Sequence, residues 1–508
     1  MLMRLRPPGA QMKRILLIIF AVPLLLQGCQ TSKPPRALSD ARSPLAYCQG
    51  FLSLVDDAVI RAATTDTGVF RIEGYPYLRA SRFLAGMRET EISNPAIAQC
   101  WLEGMHHLDL EAREKEILTL DNDQFQQLAN QSRHLVDRDE FIQRVRACSN
   151  RLFAHGLDQP GLASKVRNAI DIPDVYRSWR RIVGLYPLVA LPVAYVSANV
   201  FDEFRDWHAL PPDKLATVGT PVVYHPSGGI DNDRLEPAAL YRSAPRDALG
   251  LPEMTPKEKD RIARTLAPVI IQDTAGGYDR IGKVQWRNGA VVIRPNVPVG
   301  YFYYSYGRFN RHPSLQINYV FWYSHRDGDN APWIERGRLD GLTIRVSLDP
   351  NGQPVMLDIM NNCGCYHFFV PKHARIRTIK NPWLGLNPLV PTWLPDQFPR
   401  RRVALRVNSG WHQVQHIGVE STSGDTIRYE LRPYRELEML PDDNGQHRSM
   451  FTPDGIARGS GRIEPYIFFS MGIPAIGSMR QRGHHAIKLV GNAHFDHPGL
   501  FDDTFEYR

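Results

Sequence analysis

The stretch from residue 283 to 294 constrains the fold of this chain more than any other. Lys283–Trp286 and Ala290–Arg294 are short β-forming runs held apart by Arg287-Asn288-Gly289. Asn-Gly tolerates positive φ at both turn positions, so it closes a hairpin of two antiparallel strands. The device recurs where Leu342–Leu348 and Val355–Ile359 flank Asp349-Pro350-Asn351-Gly352. Further turn signals stand at Asn408-Ser409-Gly410 and Ser423-Gly424-Asp425, the latter leading into the alternating run Ile427–Leu431. Residues 219–508 therefore read as an antiparallel β-rich domain, sandwich or barrel-like. A lone helix is expected at Pro256–Leu266, opened by Thr255 as cap.

The preceding residues carry a helical period. Leu45, Cys48, Leu52, Val55 and Val59 fall on one stripe, and weaker stripes run through Ile97–Leu108 and Phe141–Leu152. Each segment holds one cysteine: Cys48, Cys100 or Cys148. This predicts a helical bundle over 45–175 stapled by one disulfide, with the third thiol left over. The fold class is thus α+β, an N-terminal helical bundle followed by the larger β-rich domain. Between them lies a junction, 176–218, whose residues 182–201 have no charge. Length alone permits a membrane span. Pro187 and Pro192 each remove a donor, however, and Ser197 and Asn199 add polarity, so the stretch reads as a buried or membrane-surface segment. Trp179 and the arginines beside it suit an interface.

The first 29 residues address the chain to the envelope. From Met12 it runs Lys13-Arg14, then apolar from Ile15 to Leu26, then Gln27-Gly28-Cys29. A short positive region, an apolar core of about 12 residues and small residues before the cut make a secretory signal, too short to span a bilayer. Leu26-Gln27-Gly28-Cys29 resembles a lipobox, in which the Cys29 thiol is acylated and becomes the new N-terminus. Residues 30–44 are a polar tether, and Gln30, where inner-membrane lipoproteins carry Asp, points to the outer membrane and its periplasmic face. The partner implied is membrane lipid, with an envelope polymer, lipid or protein as the object of any further binding. The net charge of +8 is spread along the chain. Runs such as Arg400-Arg401-Arg402 read as solvated faces, or as contacts to lipid phosphates rather than to nucleic acid, for which there is no motif.

Six cysteines include Cys29, leaving five in an oxidising compartment, so at least one thiol is free, metal-bound or paired to another chain. The densest chemistry is Asn361-Asn362-Cys363-Gly364-Cys365-Tyr366-His367-Phe368-Phe369. If extended, this segment aims Cys363, Cys365 and His367 to one side, a soft ligand set for zinc or copper. Gly364 would allow close backbone approach. The alternatives are a Cys363–Cys365 disulfide, a redox thiol pair, or packing. A second cluster, Gly483-His484-His485-Ala486 and Asn492–Pro498, holds four of the 17 histidines. There His485 or His494 could complete a metal shell, and Asp496 could orient an imidazole. A third lies in His312–Tyr323, where Leu315, Ile317, Tyr319, Phe321 and Tyr323 make one apolar face and Gln316 and Asn318 point the other way, toward a cavity or water. With the aromatic run Tyr301–Tyr306 it forms either a ligand pocket or a β-core.

Leu315–Tyr319, Leu339-Asp340-Gly341, Cys363–Phe369 and His494-Phe495-Asp496 together resemble a family of proteobacterial lipid-anchored envelope proteins with a Cys-Gly-Cys-Tyr-His segment. The resemblance covers roughly residues 200–508 and implies that these four segments meet. It carries no reaction with it. No phosphate loop, G-x-S-x-G elbow or H-E-x-x-H is present. Two functions are consistent with these residues. One is a metal-dependent envelope enzyme with Cys363, Cys365, His367 and His485 or His494 as ligands and Asp340 or Asp496 in proton transfer. The other is a non-catalytic binding or assembly lipoprotein with a Cys363–Cys365 disulfide.

Overall fold

The computed structural model describes residues 43–133, 137–228, 236–381, 386–420 and 426–508. The signal segment, Cys29, all but the end of the tether and the Ser423-Gly424-Asp425 turn lie outside the described residues.

Helix α1 (Pro44–Arg61) starts on a cap: Ser43 Oγ accepts the Ala46 N–H at 3.2 Å, and Pro44 fills the first turn, where a missing N–H is harmless. Its buried face includes Cys48, Phe51, Leu52, Val55 and Val59, close to the predicted stripe. Against it lie α2 (Pro95–Leu118), α3 (Asn122–Ser132), α4 (Arg138–Leu157) and α5 (Leu162–Ala169), which share a core around Trp101, Phe141 and Leu152. Cys48 and Cys148 join α1 to α4 in a disulfide, and Cys100 is free.

The uncharged stretch, residues 182–201, covers the end of α6 (Ser178–Val183) and most of α7 (Tyr186–Ala209), and neither of its prolines breaks that helix. Pro187 falls in the first turn. Pro192 deprives only the Leu188 carbonyl, on an exposed part of the helix where water can replace the lost donor. Among the described residues, no helix is long and apolar enough to cross a membrane.

Ten strands build the main sheet: β1 (Thr220–Pro226), β2 (Val269–Thr274), β3 (Val299–Phe309), β4 (His312–Arg326), β5 (Gly337–Leu348), β6 (Pro354–Asn361), β7 (Phe368–Pro371), β8 (Val403–Val407), β9 (Val414–Val419) and β10 (Thr426–Pro433). Their order across the sheet is 7-6-5-4-3-10-1-2-8-9. Strands β3 to β7 are an antiparallel meander. Strand β10 then pairs parallel with both β3 and β1, and β2 pairs parallel with β8. The fold is α+β, its sheet curled into a half-barrel. The β-rich part, expected as antiparallel and sandwich or barrel-like, is thus a half-barrel, corrected in that its main sheet is mixed rather than antiparallel throughout. Hairpin signals report only pairings between sequence neighbours, and the parallel pairings join strands far apart in the chain.

The predicted turns hold locally. Asn288 (φ 50°) and Gly289 (φ 72°) close Lys283–Arg287 onto Ala290–Arg294, but this ribbon stands apart from the main sheet. Asp349 Oδ1 accepts the N–H groups of Asn351 and Gln353, each at 2.9 Å, in the turn from β5 to β6. Helix α8 (Pro256–Leu266) begins at Thr255, which accepts the Glu258 N–H at 3.3 Å while Glu258 Oε2 accepts the Thr255 N–H at 2.8 Å.

Strand β4 sets the two faces of the sheet. Leu315, Ile317, Tyr319, Phe321 and Tyr323 enter a core with Ile344, Ile359, Phe368, Ile262 of α8 and Phe204 of α7. The opposite face carries a row in register across four strands: Tyr303, Asn318, Arg345 and Asp358. Arg345 grips Asp358 with two N–H groups, at 2.9 and 2.7 Å, and gives a third to the Phe495 carbonyl at 2.7 Å. This ties the C-terminal segment to the sheet.

Candidate functional site

Strand β6 ends at Asn361, and the chain then makes a tight turn instead of continuing extended. The Gly364 N–H donates to the Asn361 carbonyl at 2.8 Å, and the Asn361 N–H to the Cys365 carbonyl at 3.1 Å. Gly364 has φ 90° and lies so close to the Ala486 carbonyl that a Cβ there would collide with it. Tyr366 also takes a left-handed conformation, φ 56°. Two reversals within four residues abolish the two-residue alternation on which the shared-face expectation rested.

The side chains diverge accordingly. Cys363 is buried against Trp322, Leu339, Met450 and Met479, with Cys365 half-buried beside it. Both are free thiols, so the structural Cys363–Cys365 disulfide is corrected too. His367 turns instead toward the sheet row, its Nε2 2.9 Å from Asp358 Oδ2, with burial holding its pKa below the usual imidazole range. His494 pairs with Asp174 at 3.0 Å. His485 is enclosed, with neither ring nitrogen in hydrogen-bonding geometry, and burial beside Arg480 brings its pKa down to about 3. Among the described residues, no three His, Cys, Asp or Glu side chains are placed to hold one metal ion. Cys363, Cys365, His367, His485 and His494 therefore do not form the expected zinc or copper shell.

Other candidates are structural. Asp496 accepts the Gly483 N–H at 3.0 Å. Gln316 and Asn318 face neither water nor the large cavity. Gln316 accepts the Ser305 hydroxyl at 3.0 Å, and Asn318 donates to Ser305 at 2.9 Å. Asp340 belongs to a buried chain of charges: it accepts two N–H groups of Arg326, each at 2.9 Å, and lies 2.7 Å from His412 Nδ1. His412 reaches Asp279 on its other side at 3.2 Å and stacks on Tyr323, ring centres 3.9 Å apart. Burial works against a charge on His412, but hydrogen bonds to Asp279 and Asp340 outweigh it and raise its pKa. Arg326 also pairs with Glu335, which accepts the Tyr366 hydroxyl and the Trp411 N–H.

The turn instead builds one wall of a cavity of about 1000 Å³. Cys363, Cys365, Tyr366, Glu335, Trp411 and Glu464 form its polar end. Val193, Val196, Val200 and Phe201 of α7, with Leu386, Phe468 and Leu489, supply apolar walls. His367, His494 and Lys488 line it as well. Burial raises the Cys363 thiol, but the hydrogen bond from Cys365 and the nearby Arg326 cation more than reverse this, leaving Cys363 below the usual thiol range. Cys365, the donor of that bond, lies well above it. Glu464 is pushed up to about 8 by burial and by the negative charges of Cys363 and Glu335. An apolar pocket with a few convergent polar groups of shifted pKa is the usual form of a ligand site.

The sequence pointed to Cys363, Cys365, His367 and His494 individually but missed Glu335, Trp411, His412 and Glu464. His412 and Trp411 come directly after the recognised Asn408-Ser409-Gly410 turn. Glu464 stands in a local sequence, Arg462-Ile463-Glu464-Pro465, that gives no sign of burial.

Fold and site together define, over the described residues, an α+β half-barrel with a large amphipathic cavity. Comparison with protein-family models, with curated proteins and with solved structures yields no match.

Proposed function

We propose that the chain is an outer-membrane lipoprotein, anchored through Cys29 and facing the periplasm, whose cavity takes an acyl-bearing amphipathic ligand from the adjacent leaflet. One observation carries this reading: α7 is apolar on two sides. Val193, Val200 and Phe201 face the cavity, while Leu188 (68% exposed), Leu191 (71%) and Tyr195 (71%) face outward, and Val196 lines the cavity yet is 60% exposed. Ile182 and Trp179 of α6 extend the outward patch, with Arg180 over the Trp179 ring. An exposed apolar patch of this kind, edged by arginine and tryptophan, matches a helix lying in the headgroup region of a bilayer. Its continuity with the cavity mouth gives an acyl chain a path that avoids water.

The helices between Pro44 and Ala169 are read as a small bundle bracing this assembly. Lys115 of α2 reaches Asp66 and, at 2.9 Å, Glu438 of the β-rich part. Lys488, a half-buried cation in the cavity wall, suits an anionic headgroup or carboxylate.

Binding is tested with a fluorescent fatty acid displaced by unlabelled acids of increasing length. Each added methylene should contribute roughly 0.8 kcal/mol, about fourfold in affinity, until the cavity is full. Ser197→Trp, which places a large ring on the cavity wall, should abolish binding at unchanged thermal midpoint. Length-independent binding, or binding that survives Ser197→Trp, overturns the reading.

A further inference from the structure

We propose that Cys363 is an acyl-accepting nucleophile and Glu464 the acid that protonates the leaving group, so that the cavity transfers an acyl group from an ester-linked lipid. The inference rests on the reading of the cavity as an acyl-chain site, and adds chemistry at its polar end.

Three features meet there. Cys363 lines the cavity, and its sulfur accepts the Cys365 N–H at 3.4 Å as well as the Cys365 S–H. Arg326 adds positive charge from behind while held by Asp340 and Glu335. Donors and a fixed cation around one sulfur favour thiolate, the reactive form. Cys365 keeps the shared proton and so assists rather than competes. Glu464 is only 6% exposed, lines the same cavity, and its Oε2 has no hydrogen-bond partner. Gly477 packs so closely on this carboxyl that any side chain there would displace it. A buried carboxyl kept neutral near pH 7, beside a thiolate, is equipped to give a proton.

The step balances without a co-reactant. The Cys363 thiolate attacks the carbonyl carbon of R–CO–OR′, a sulfur–carbon bond forms, the ester carbon–oxygen bond breaks, and the departing alkoxide takes the Glu464 proton. The products are R–CO–S–Cys363, R′OH and the Glu464 carboxylate. In the return step an alcohol or water gives its proton to Glu464, bonds to the acyl carbon and releases the Cys363 thiolate. The substrate class is a fatty acyl ester, with the chain along α7 and the carbonyl at the Cys-Gly-Cys turn. His367 is engaged by Asp358, and a thiolate that is already formed needs no histidine base.

The test uses the full chain in neutral detergent with p-nitrophenyl palmitate as acyl donor, read by intact mass. One palmitoyl group should add, be released by neutral hydroxylamine as a thioester is, and be absent from Cys363→Ala. Glu464→Gln should acylate about 100-fold more slowly from monopalmitoylglycerol, whose alkoxide must be protonated as it leaves. From the p-nitrophenyl ester, whose phenolate leaves without a proton, it should acylate at a near-normal rate; p-nitrophenyl butyrate should acylate poorly. Fluorescent fatty-acid binding is measured in parallel on the unmodified chain. If fatty acid binds but no adduct forms, or if the adduct persists in Cys363→Ala, acyl transfer is wrong and the binding reading stands. If no fatty acid binds, the cavity reading fails first. A wild-type mass lower by two hydrogens beyond the two already lost to the Cys48–Cys148 link, the further loss being absent in Cys365→Ala, would mean a disulfide-forming pair and would overturn the nucleophile assignment.

Discussion

His412 sits fully buried between Asp279 and Asp340, with Arg326 beyond. Charges removed from water are tolerated here because each meets an opposite one in hydrogen-bonded geometry, and removing one partner strands the rest. His412→Gln should therefore cost about 3–5 kcal/mol in urea unfolding. The pH dependence has a definite sign. Because the folded pKa of His412 is raised, its stabilisation is fully present below the unfolded value, about 6.5, and is lost as pH rises through the folded one. The gap between wild type and His412→Gln should shrink on going from about pH 6 to about pH 9. The depressed Asp340 acts oppositely: its contribution holds above its unfolded pKa, about 3.9, and is lost as pH falls below that. A gap constant across both limbs would deny the ion-pair account. Of this network the sequence singled out only Asp340, because Asp279 and His412 lie far from it in the chain and meet it only when the sheet forms.

At the scale of elements, α7 and the Cys48–Cys148 link each carry a prediction. Replacing Leu188 and Leu191 by Asp changes only outward-facing residues, so the thermal midpoint should hold while binding to anionic vesicles falls; unaltered vesicle binding would remove α7 from the membrane surface. The disulfide spans a sequence separation of 100, and closing so long a loop restricts the unfolded chain. Cys48→Ser should destabilise the protein by about 2–5 kcal/mol, measured against wild type under oxidising conditions. Elements of this size were largely legible. The Cys48 stripe, the Thr255 cap and the Asn288-Gly289 turn are local signals, and each element formed where its signal lay. The Cys-Gly-Cys-Tyr-His segment was misread because alternation assumes continuous strand. Gly364 permitted the reversal, and Tyr366 adopts a conformation that residue type does not forecast.

Across the whole molecule, the half-barrel was only partly legible for the same reason. Antiparallel neighbours announce themselves through their turns, whereas the parallel seams are set by strands far apart in the chain. The cavity arises from that assembly: α7 comes before the sheet in the chain, the turn wall comes from its middle, and Glu464 and Lys488 come after it. No single segment contains the site, so only its separate residues could be named in advance.

Strand β10 occupies the seam between β3 and β1 and is the last of the ten to leave the ribosome. Until Pro433 has been made, the earlier strands are two partial sheets, each with a bare edge along the missing strand. Such edges recruit other chains. A chain truncated before Thr426 should aggregate when refolded from denaturant, while one extended past Pro433 should not. For this protein, completion of the main sheet waits on a single short strand, the last of the ten in chain order.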